Sequence, residues 1–261
     1  MATTVFYPGY SAGVDAYYDI EKICSPFGTK AVVISDEISI NATKKYIDEA
    51  TAEGTVKVEY VLFGGEASFE ECERLANLDV VKNADMVFCL GGGKAIDTGK
   101  YVARDMGKPY FTFPTIASTC ACNSALGIYY NEDHTFRCMY RVDRPPVHIF
   151  ISTTVIAEAP ASFLWAGIGD GMSKEAEVTF SARGRENELT LEEQAGVALA
   201  ACCTEPLLKY GIQAMEDCKN NVASEAIEQV ALDIFINTGM VSNMVDSAKY
   251  NTSVAHAFFN A

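Results

Sequence analysis

The sequence has too little positive charge to bind a polyanion or an anionic membrane. Its 20 lysines and arginines face 35 aspartates and glutamates, which gives a formal net charge of −15. Nucleic acids and anionic lipids are bound through clusters of positive charge, and no stretch of this chain concentrates it. We therefore expect neither a nucleic acid nor a membrane among the partners.

Long apolar runs and paired cysteine motifs are also lacking. No run approaches the about 20 apolar residues that cross a bilayer, and residues 1–6 are not a basic segment leading into an apolar core. The nine cysteines are odd in number and scattered, so they do not form a disulfide framework. These absences predict a cytoplasmic protein with reduced thiols.

Short apolar runs and helical patterns alternate over the first part of the chain, which predicts a doubly wound α/β domain with a parallel sheet. A β-hairpin is predicted at 127–141. The predicted strands are 30–35, 56–63, 85–90, 110–113 and 147–151, and the predicted helices are 39–53, 68–83 and 94–106.

Only helical spacing follows from about residue 153, which predicts an all-α C-terminal domain. We place the boundary near residue 155, giving an α/β domain over 1–155 and a helical domain over 156–261. The predicted helices are 153–158, 161–183, 190–209, 222–238 and 240–260, with breaks at Gly184, Pro206, Gly211 and Gly239.

Three consecutive glycines, Gly91, Gly92 and Gly93, lie between a predicted strand and a predicted helix that opens with Lys94. Such a turn exposes backbone N–H groups at a helix N-terminus and suits a phosphate. A sharp bend without a ligand is the alternative. Ligands bind at the carboxyl ends of strands in such sheets, and this location favours phosphate.

Two further features fit a nucleotide cleft. Asp36 ends a predicted strand, where an acidic side chain can accept the ribose hydroxyls of NAD, although capping the next helix is an equal alternative. The segment 115–126 is rich in small and hydroxyl side chains, which let a ligand approach the backbone. The same residues also suit a tightly packed helix.

In the predicted helical domain, Asp170 and His256 are polar residues among apolar or small neighbours. Each alone is typical of a cap or a hydrogen-bonded core group. Together they are ligand types for a catalytic metal, one ligand short of an open three-ligand site.

These motifs resemble the iron-containing alcohol dehydrogenase superfamily, glycerol dehydrogenase-like branch, with its dehydroquinate synthase-like architecture. The matching residues keep the family's order along the chain. They are Gly91-Gly92-Gly93-Lys94 with Asp97, Thr98 and Lys100, Pro114–Thr119, Ser124-Ala125-Leu126 with Tyr130, Ala159-Pro160, Gly169-Asp170, and Ala255-His256-Ala257 with Asn260.

The resemblance implies NAD(H), a divalent metal (zinc or iron), and hydride transfer to or from a small alcohol or polyol, in a homo-oligomer. It implies that Asp170 and His256 bind the metal and that Cys120 contacts the substrate. The implied dinucleotide contacts are Asp36, Gly92, Gly93, Lys94, Asp97, Thr115, Ser118, Ser124, Leu126 and Tyr130.

Two departures from the family pattern matter. Cys120 replaces an Asp of glycerol dehydrogenases, and Thr119, Cys120 and Lys174 are more similar to a branch that reduces 2-oxo acids, the hydroxycarboxylate dehydrogenases. The third metal ligand implied is a His beyond Ala261. We therefore expect a C-terminally truncated chain that binds metal weakly and turns over slowly.

Three other functions stay open. The fold is compatible with a catalytically impaired nucleotide-binding protein. A related lyase such as a dehydroquinate synthase would need a basic, phosphate-binding substrate pocket that the sequence does not show. Finally, Cys120 and Cys122 are candidates for a redox or metal-binding pair.

Overall fold

The computed structural model describes residues 6–245, 247–251 and 253. The strands are β1 (Gly9–Gly13), β2 (Lys30–Ser35), β3 (Lys57–Leu62), β4 (Met86–Gly91), β5 (Tyr110–Pro114), β6 (Leu126–Tyr130), β7 (Phe136–Arg141) and β8 (His148–Ser152). The helices are α1 (Ile20–Cys24), α2 (Glu37–Thr51), α3 (Phe69–Ala76), α4 (Asp79–Asn83), α5 (Gly93–Asp105), α6 (Thr153–Glu158), α7 (Ala161–Ala182), α8 (Leu191–Ala200), α9 (Glu205–Lys219), α10 (Glu225–Leu232) and α11 (Thr238–Met244).

Six of the strands form one parallel sheet in the order β1-β8-β5-β4-β2-β3, and β6 pairs with β7 in an antiparallel hairpin. The central strands β4, β5 and β8 are buried along their whole length because helices cover both faces of the sheet. The parallel α/β fold and the hairpin are as the sequence predicts.

The two faces of the sheet carry separate apolar cores. Alternate residues of β2 show the division, since Val33 joins one core with Phe88 and Phe113, whereas Ile34 joins the other with Cys89. The second core continues from the sheet into α6, α7, α9 and α10. The sheet and the first helices of the helical part therefore share buried apolar side chains, and the boundary near residue 155 stays a prediction.

The predicted strands agree with the observed ones to within one or two residues, but β1 is missing from the prediction. Its sequence, Gly-Tyr-Ser-Ala-Gly, has no apolar run. It forms because its backbone pairs with β8 from Gly9 to Gly13 at the edge of the sheet. An edge strand needs less apolar sequence because half of it faces solvent.

Several helix boundaries are wrong in the prediction. The helix expected at 68–83 is divided into α3 and α4, and the one expected at 190–209 is divided into α8 and α9. Pro206 lies in the first turn of α9, where its missing N–H costs nothing. Gly211 does not break α9; it is buried, with the side chain of Ile168 beside it.

The break predicted at Gly239 is also wrong. Residues 225–244 are helical without interruption, because one turn of π-helix at Asp233–Asn237 joins α10 to α11. Gly239 allows close packing rather than a break: a Cβ there would lie 2.5 Å from Cβ of Asn123. A second π turn covers Ser247–Asn251.

All nine cysteines are free thiols. Cys202 is exposed, Cys120 and Cys138 are half-buried, and the other six are buried. His148 packs in β8, with its Nε2 3.0 Å from Oγ of Ser11. In the described part of the chain, no helix has the length and apolarity needed to cross a membrane.

Candidate functional site

The three glycines form the turn from β4 to α5 at the carboxyl edge of the sheet. They differ in backbone conformation and in the space around them. Gly91 has a φ of +130°, a conformation that favours glycine. A Cβ at Gly92 would lie 2.9 Å from the side chain of Ile116, whereas the nearest described neighbours of a Cβ at Gly93 would be 3.7 Å away. Packing therefore does not require glycine at 93, and the missing side chain leaves the turn open.

The N-terminus of α5 lies at this opening. Gly92 is the N-cap, Ile96 N donates to its carbonyl at 3.0 Å, and within the described residues no side chain caps the helix. The N–H groups of Gly93, Lys94 and Ala95 precede the first intrahelical bond and carry the positive end of the helix dipole. This arrangement suits an anion such as a phosphate.

Asp36 lies beside the turn and caps α2. Its Oδ1 accepts from Ser39 N at 2.8 Å and its Oδ2 accepts from Ser39 Oγ at 2.7 Å. Ser39 Oγ is also 3.2 Å from Oγ1 of the buried Thr115, whose N donates to Gly91 O. The structure thus confirms the capping alternative for Asp36, and a contact with ribose stays a prediction.

The remaining predicted dinucleotide contacts follow β5. Ser118 is half-buried, and the buried Ser124 donates to the carbonyl of Leu126 at 3.1 Å. Leu126 begins β6, and Tyr130 ends it with its ring 4.9 Å from Lys94 Nζ. The structure therefore places Tyr130 beside Lys94.

Asp97 forms a buried ion pair with Lys100 one turn along α5. Lys100 Nζ donates to Asp97 Oδ1 at 2.8 Å and to Leu126 O at 2.9 Å, while Asp97 Oδ2 accepts from Ile128 N at 2.9 Å. Burial raises the pKa of Asp97, although Lys100 and Ile128 N act in the opposite direction. These contacts attach the hairpin to α5, and the expected contact of Asp97 with pyrophosphate stays a prediction.

Lys94 is paired with Glu66, a residue that the sequence analysis did not identify. Lys94 Nζ donates to Glu66 Oε2 at 2.7 Å, and His134 Nδ1 lies 2.6 Å from the same oxygen. His134 is exposed in the turn between β6 and β7. Nothing local in the sequence signals this cluster, because its three residues are far apart in the chain.

The predicted metal ligands are only partly covered by the structure. Asp170 is half-buried on α7, one turn after Gly167, which packs against the backbone of Ala117. His256 lies outside the described residues, so its pairing with Asp170 stays a prediction. Residues 6–245, 247–251 and 253 contain no group of three or more His, Cys, Asp or Glu suited to hold a metal ion.

Cys120 touches a buried polar group in the helical part. Its Sγ is 3.6 Å from Oγ of Ser242, which accepts from Lys174 Nζ at 3.4 Å. Lys174 is 3 % exposed and also donates to Asn251 Oδ1 at 2.8 Å. The half-buried Cys120 is thus one side chain away from a buried ammonium group, whereas Cys122 is buried in the core.

Asp233 is a second residue that the sequence analysis missed, although an acid within the run Val230–Ile236 was a usable signal. It is buried at the start of the π turn, and its Oδ1 accepts from Asn237 Nδ2 at 2.7 Å. Its Oδ2 has no hydrogen-bond partner in the described structure. Burial raises the pKa of Asp233 to about 7, against the opposite effect of Asn237.

A parallel sheet with an open glycine turn at its carboxyl edge, followed by a helical part, defines an α/β fold of the nucleotide-binding class. Residues 8–151 match the family described as iron-containing alcohol dehydrogenase. The chain belongs to this family, and the resemblance inferred from its motifs is confirmed.

Known proteins place the chain near glycerol dehydrogenases. It is 36% identical over 234 residues to glycerol dehydrogenase of Thermotoga maritima, covering 88% of this chain and 64% of that protein. It is 34% identical over 223 residues to glycolaldehyde reductase of Halobacterium salinarum, covering 85% and 61%. The crystal structure of a probable glycerol dehydrogenase from Sinorhizobium meliloti superposes with a TM-score of 0.82 at 27% identity, covering 98% and 70%. The chain thus spans less than two thirds of the length of these two curated relatives.

Proposed function

We propose that this protein binds NAD(H) and a divalent metal and transfers a hydride between NAD(H) and a small alcohol or polyol. The observation that carries the proposal is the open turn at Gly93, where the N-terminus of α5, which no side chain of the described residues caps, meets the carboxyl edge of the sheet. Membership of the family and the similarity to proteins named glycerol dehydrogenase support the reaction class.

The residues around the turn have the chemistry that a dinucleotide needs. The N–H groups of Gly93 and its successors are available to bind an anion, and Lys94 adds a positive charge at the same end of α5. Ser118, in the segment after β5, offers a hydroxyl, and Tyr130 and the backbone around Leu126 offer polar and aromatic surface along the hairpin. Asp36 and Thr115 lie beside the glycine turn, and the hydroxyl of Ser39 contacts both of their side chains.

For the metal, Asp170 supplies a hard oxygen donor and His256 is its proposed partner ligand. When bound, a divalent metal polarises an oxygen of the substrate, and NAD(H) carries the hydride. The role of α7 is to hold Asp170 next to the segment that begins at Thr115, because Gly167 packs on Ala117. Cys120 would lie on the substrate side of that segment.

Binding of NADH to the purified chain tests the dinucleotide part. NADH fluorescence and calorimetry should show saturable binding, and Gly93→Ala should weaken it by about tenfold, because a methyl group covers the N–H groups that hold the phosphate. A Cβ at this position has neighbours only at 3.7 Å, so the variant should fold normally. Failure of the unaltered chain to bind NADH would contradict the proposal.

Reduction of a 2-oxo acid is the second candidate. It is favoured by Lys174, whose buried ammonium donates, within the described residues, to the neutral side chains of Ser242 and Asn251 and lies behind Cys120. A substrate carboxylate would complement such a charge. In a panel of glycerol, 1,2-diols and 2-oxo acids with added zinc or iron, faster turnover of the acids, lost in Lys174→Met, would favour this candidate.

A further inference from the structure

Glu66 is the centre of a three-residue cluster at the edge of the glycine turn. Its side chain is only 10% exposed, whereas Lys94 is 48% and His134 74% exposed. Both nitrogen donors approach the same atom, Oε2, and the other oxygen accepts from Ala67 N at 3.0 Å. The carboxylate is therefore fixed in position, while its two partners are free to turn toward solvent.

The charge on Glu66 balances the charge on Lys94. Burial alone would raise the pKa of Glu66, but hydrogen bonds from Lys94, His134 and Ala67 N outweigh it, so that the pKa is lowered. Glu66 is consequently a carboxylate at neutral pH. The positive charge that Lys94 brings to the N-terminus of α5 is neutralised by an acid of the protein itself.

The position of Lys94 is what makes this pairing relevant to a ligand. Lys94 is the second residue of α5, directly after Gly93, and its ammonium also lies over the ring of Tyr130. Tyr130 N donates to Ala67 O at 2.9 Å, which holds the hairpin against the loop that carries Glu66. A phosphate at the turn and the Glu66 carboxylate would thus compete for one ammonium group.

We propose that Glu66 is the resident counter-ion of Lys94 and that a dinucleotide phosphate binds by taking Lys94 from it. This inference rests on the proposed function. His134 completes the exchange, because it keeps a donor on Glu66 Oε2 after Lys94 turns away, and a buried carboxylate without a partner is costly. Glu66 and His134 are positioning residues for Lys94: Glu66 lowers the affinity for the dinucleotide, and His134 raises it.

The test compares variants by equilibrium binding of NADH and of ADP, which carries the phosphates without the nicotinamide. Glu66→Gln should tighten binding of both by about three- to tenfold at low salt, because the competing charge is gone. Glu70→Gln is the matched control: it removes the same charge from an exposed acid that pairs with Arg137 on the hairpin. It should leave both affinities unchanged.

Two further variants test whether the effect of Glu66 depends on His134 and Lys94. His134→Ala should weaken binding by about two- to threefold, since releasing Lys94 would then leave Oε2 of Glu66 without either of its two partners. In a Lys94→Met background, Glu66→Gln should no longer tighten binding. Thermal melting of each variant checks that the fold is retained.

The outcomes separate this inference from the proposed function. If the unaltered chain binds neither NADH nor ADP, the proposed function fails and the inference fails with it. If the chain binds them but Glu66→Gln weakens binding or leaves it unchanged, the inference alone is overturned. Equal tightening with and without Lys94 would also overturn it, because the effect would then be long-range charge and not competition.

Discussion

Gly167 of α7 lies directly against the backbone of Ala117, so close that a Cβ on Gly167 would be 2.0 Å from the Ala117 carbonyl oxygen. This contact joins the helix that carries Asp170 to the segment that follows β5. We expect Gly167→Ala to lower the free energy of unfolding by about 3 kcal/mol or more, since backbone must move on one side or the other. Urea unfolding measures the change.

Gly169 provides the control within the same helix. A Cβ at this position would have no neighbour within 4 Å in the part of the chain that the structure describes. Gly169→Ala should therefore stabilise the protein by about 0.5–1 kcal/mol through helix propensity. Equal effects of the two substitutions would show that close packing on Ala117 does not hold α7 in place.

The ion pair between Asp97 and Lys100 should be far more important for stability than its counterparts on the surface. Lys100 is completely buried, so that Lys100→Met leaves an uncompensated carboxylate and should cost about 3–5 kcal/mol in urea unfolding at pH 7. Combining it with Asp97→Asn should recover a large part of this loss, because the buried charge is then removed.

Lys44→Met is the matched control for that experiment. Lys44 pairs with Asp48 at the same kind of spacing within a helix, but both side chains are about half exposed, at 49% and 46%. Lys44→Met should lower the free energy of unfolding by less than about 1 kcal/mol. A Lys100→Met variant as stable as Lys44→Met would contradict a structural role for the buried pair.

The sequence predicts this fold well where the signal is local. Strands buried on both faces are continuous apolar runs, which is why β2, β4, β5 and β8 are found nearly to the residue. β1 is missed because backbone pairing with β8, and not apolar sequence, holds it in the sheet. Gly239 is mistaken for a helix break because only the fold places Asn123 against it.

In the candidate site, too, the sequence predicts the features that have a local signal. The glycine turn is recognisable because a sharp connection from a strand to a helix needs those residues next to one another. Glu66 and Asp233 are missed for different reasons. Glu66 meets Lys94 only in the folded chain, so contacts between distant residues account for its absence from the prediction. Asp233 had a local signal, an acid within an apolar run, but the π turn to which it belongs has no hydrophobic period of its own.

Chemical labelling should place Cys120 at the edge of the proposed cleft. Cys202 is exposed, Cys120 is half-buried and Cys122 is buried. Iodoacetamide followed by peptide mass spectrometry should find Cys202 modified first, Cys120 more slowly, and Cys122 not at all in the folded protein. Saturating NADH should protect Cys120 and leave Cys202 unaffected; an unprotected Cys120 would place it outside the cleft.

Asp233 should make stability depend on pH in a direction opposite to that of most acids. Burial raises its pKa to about 7, so the folded state binds this proton more tightly than the unfolded chain, whose aspartates titrate near about 4. The stability contributed by this proton is fully present below pH about 4. It is lost as the pH rises through about 7.

Asp233→Asn removes that dependence, since an amide has no proton to lose in this range. The variant should be more stable than the unaltered chain by about 2–4 kcal/mol at pH 8.5. The difference should stay nearly constant down to about pH 7.5 and then shrink, to roughly half at pH 5.5. Urea unfolding at four or five pH values measures it, with the exposed Asp79→Asn as the charge-matched control. Asp79→Asn should give a difference of less than about 0.5 kcal/mol at every pH. Because each comparison is with the same parent chain, titration of all other groups cancels, and a flat difference for Asp233→Asn would mean that Asp233 is ionised throughout and that its Oδ2 has a partner in solution.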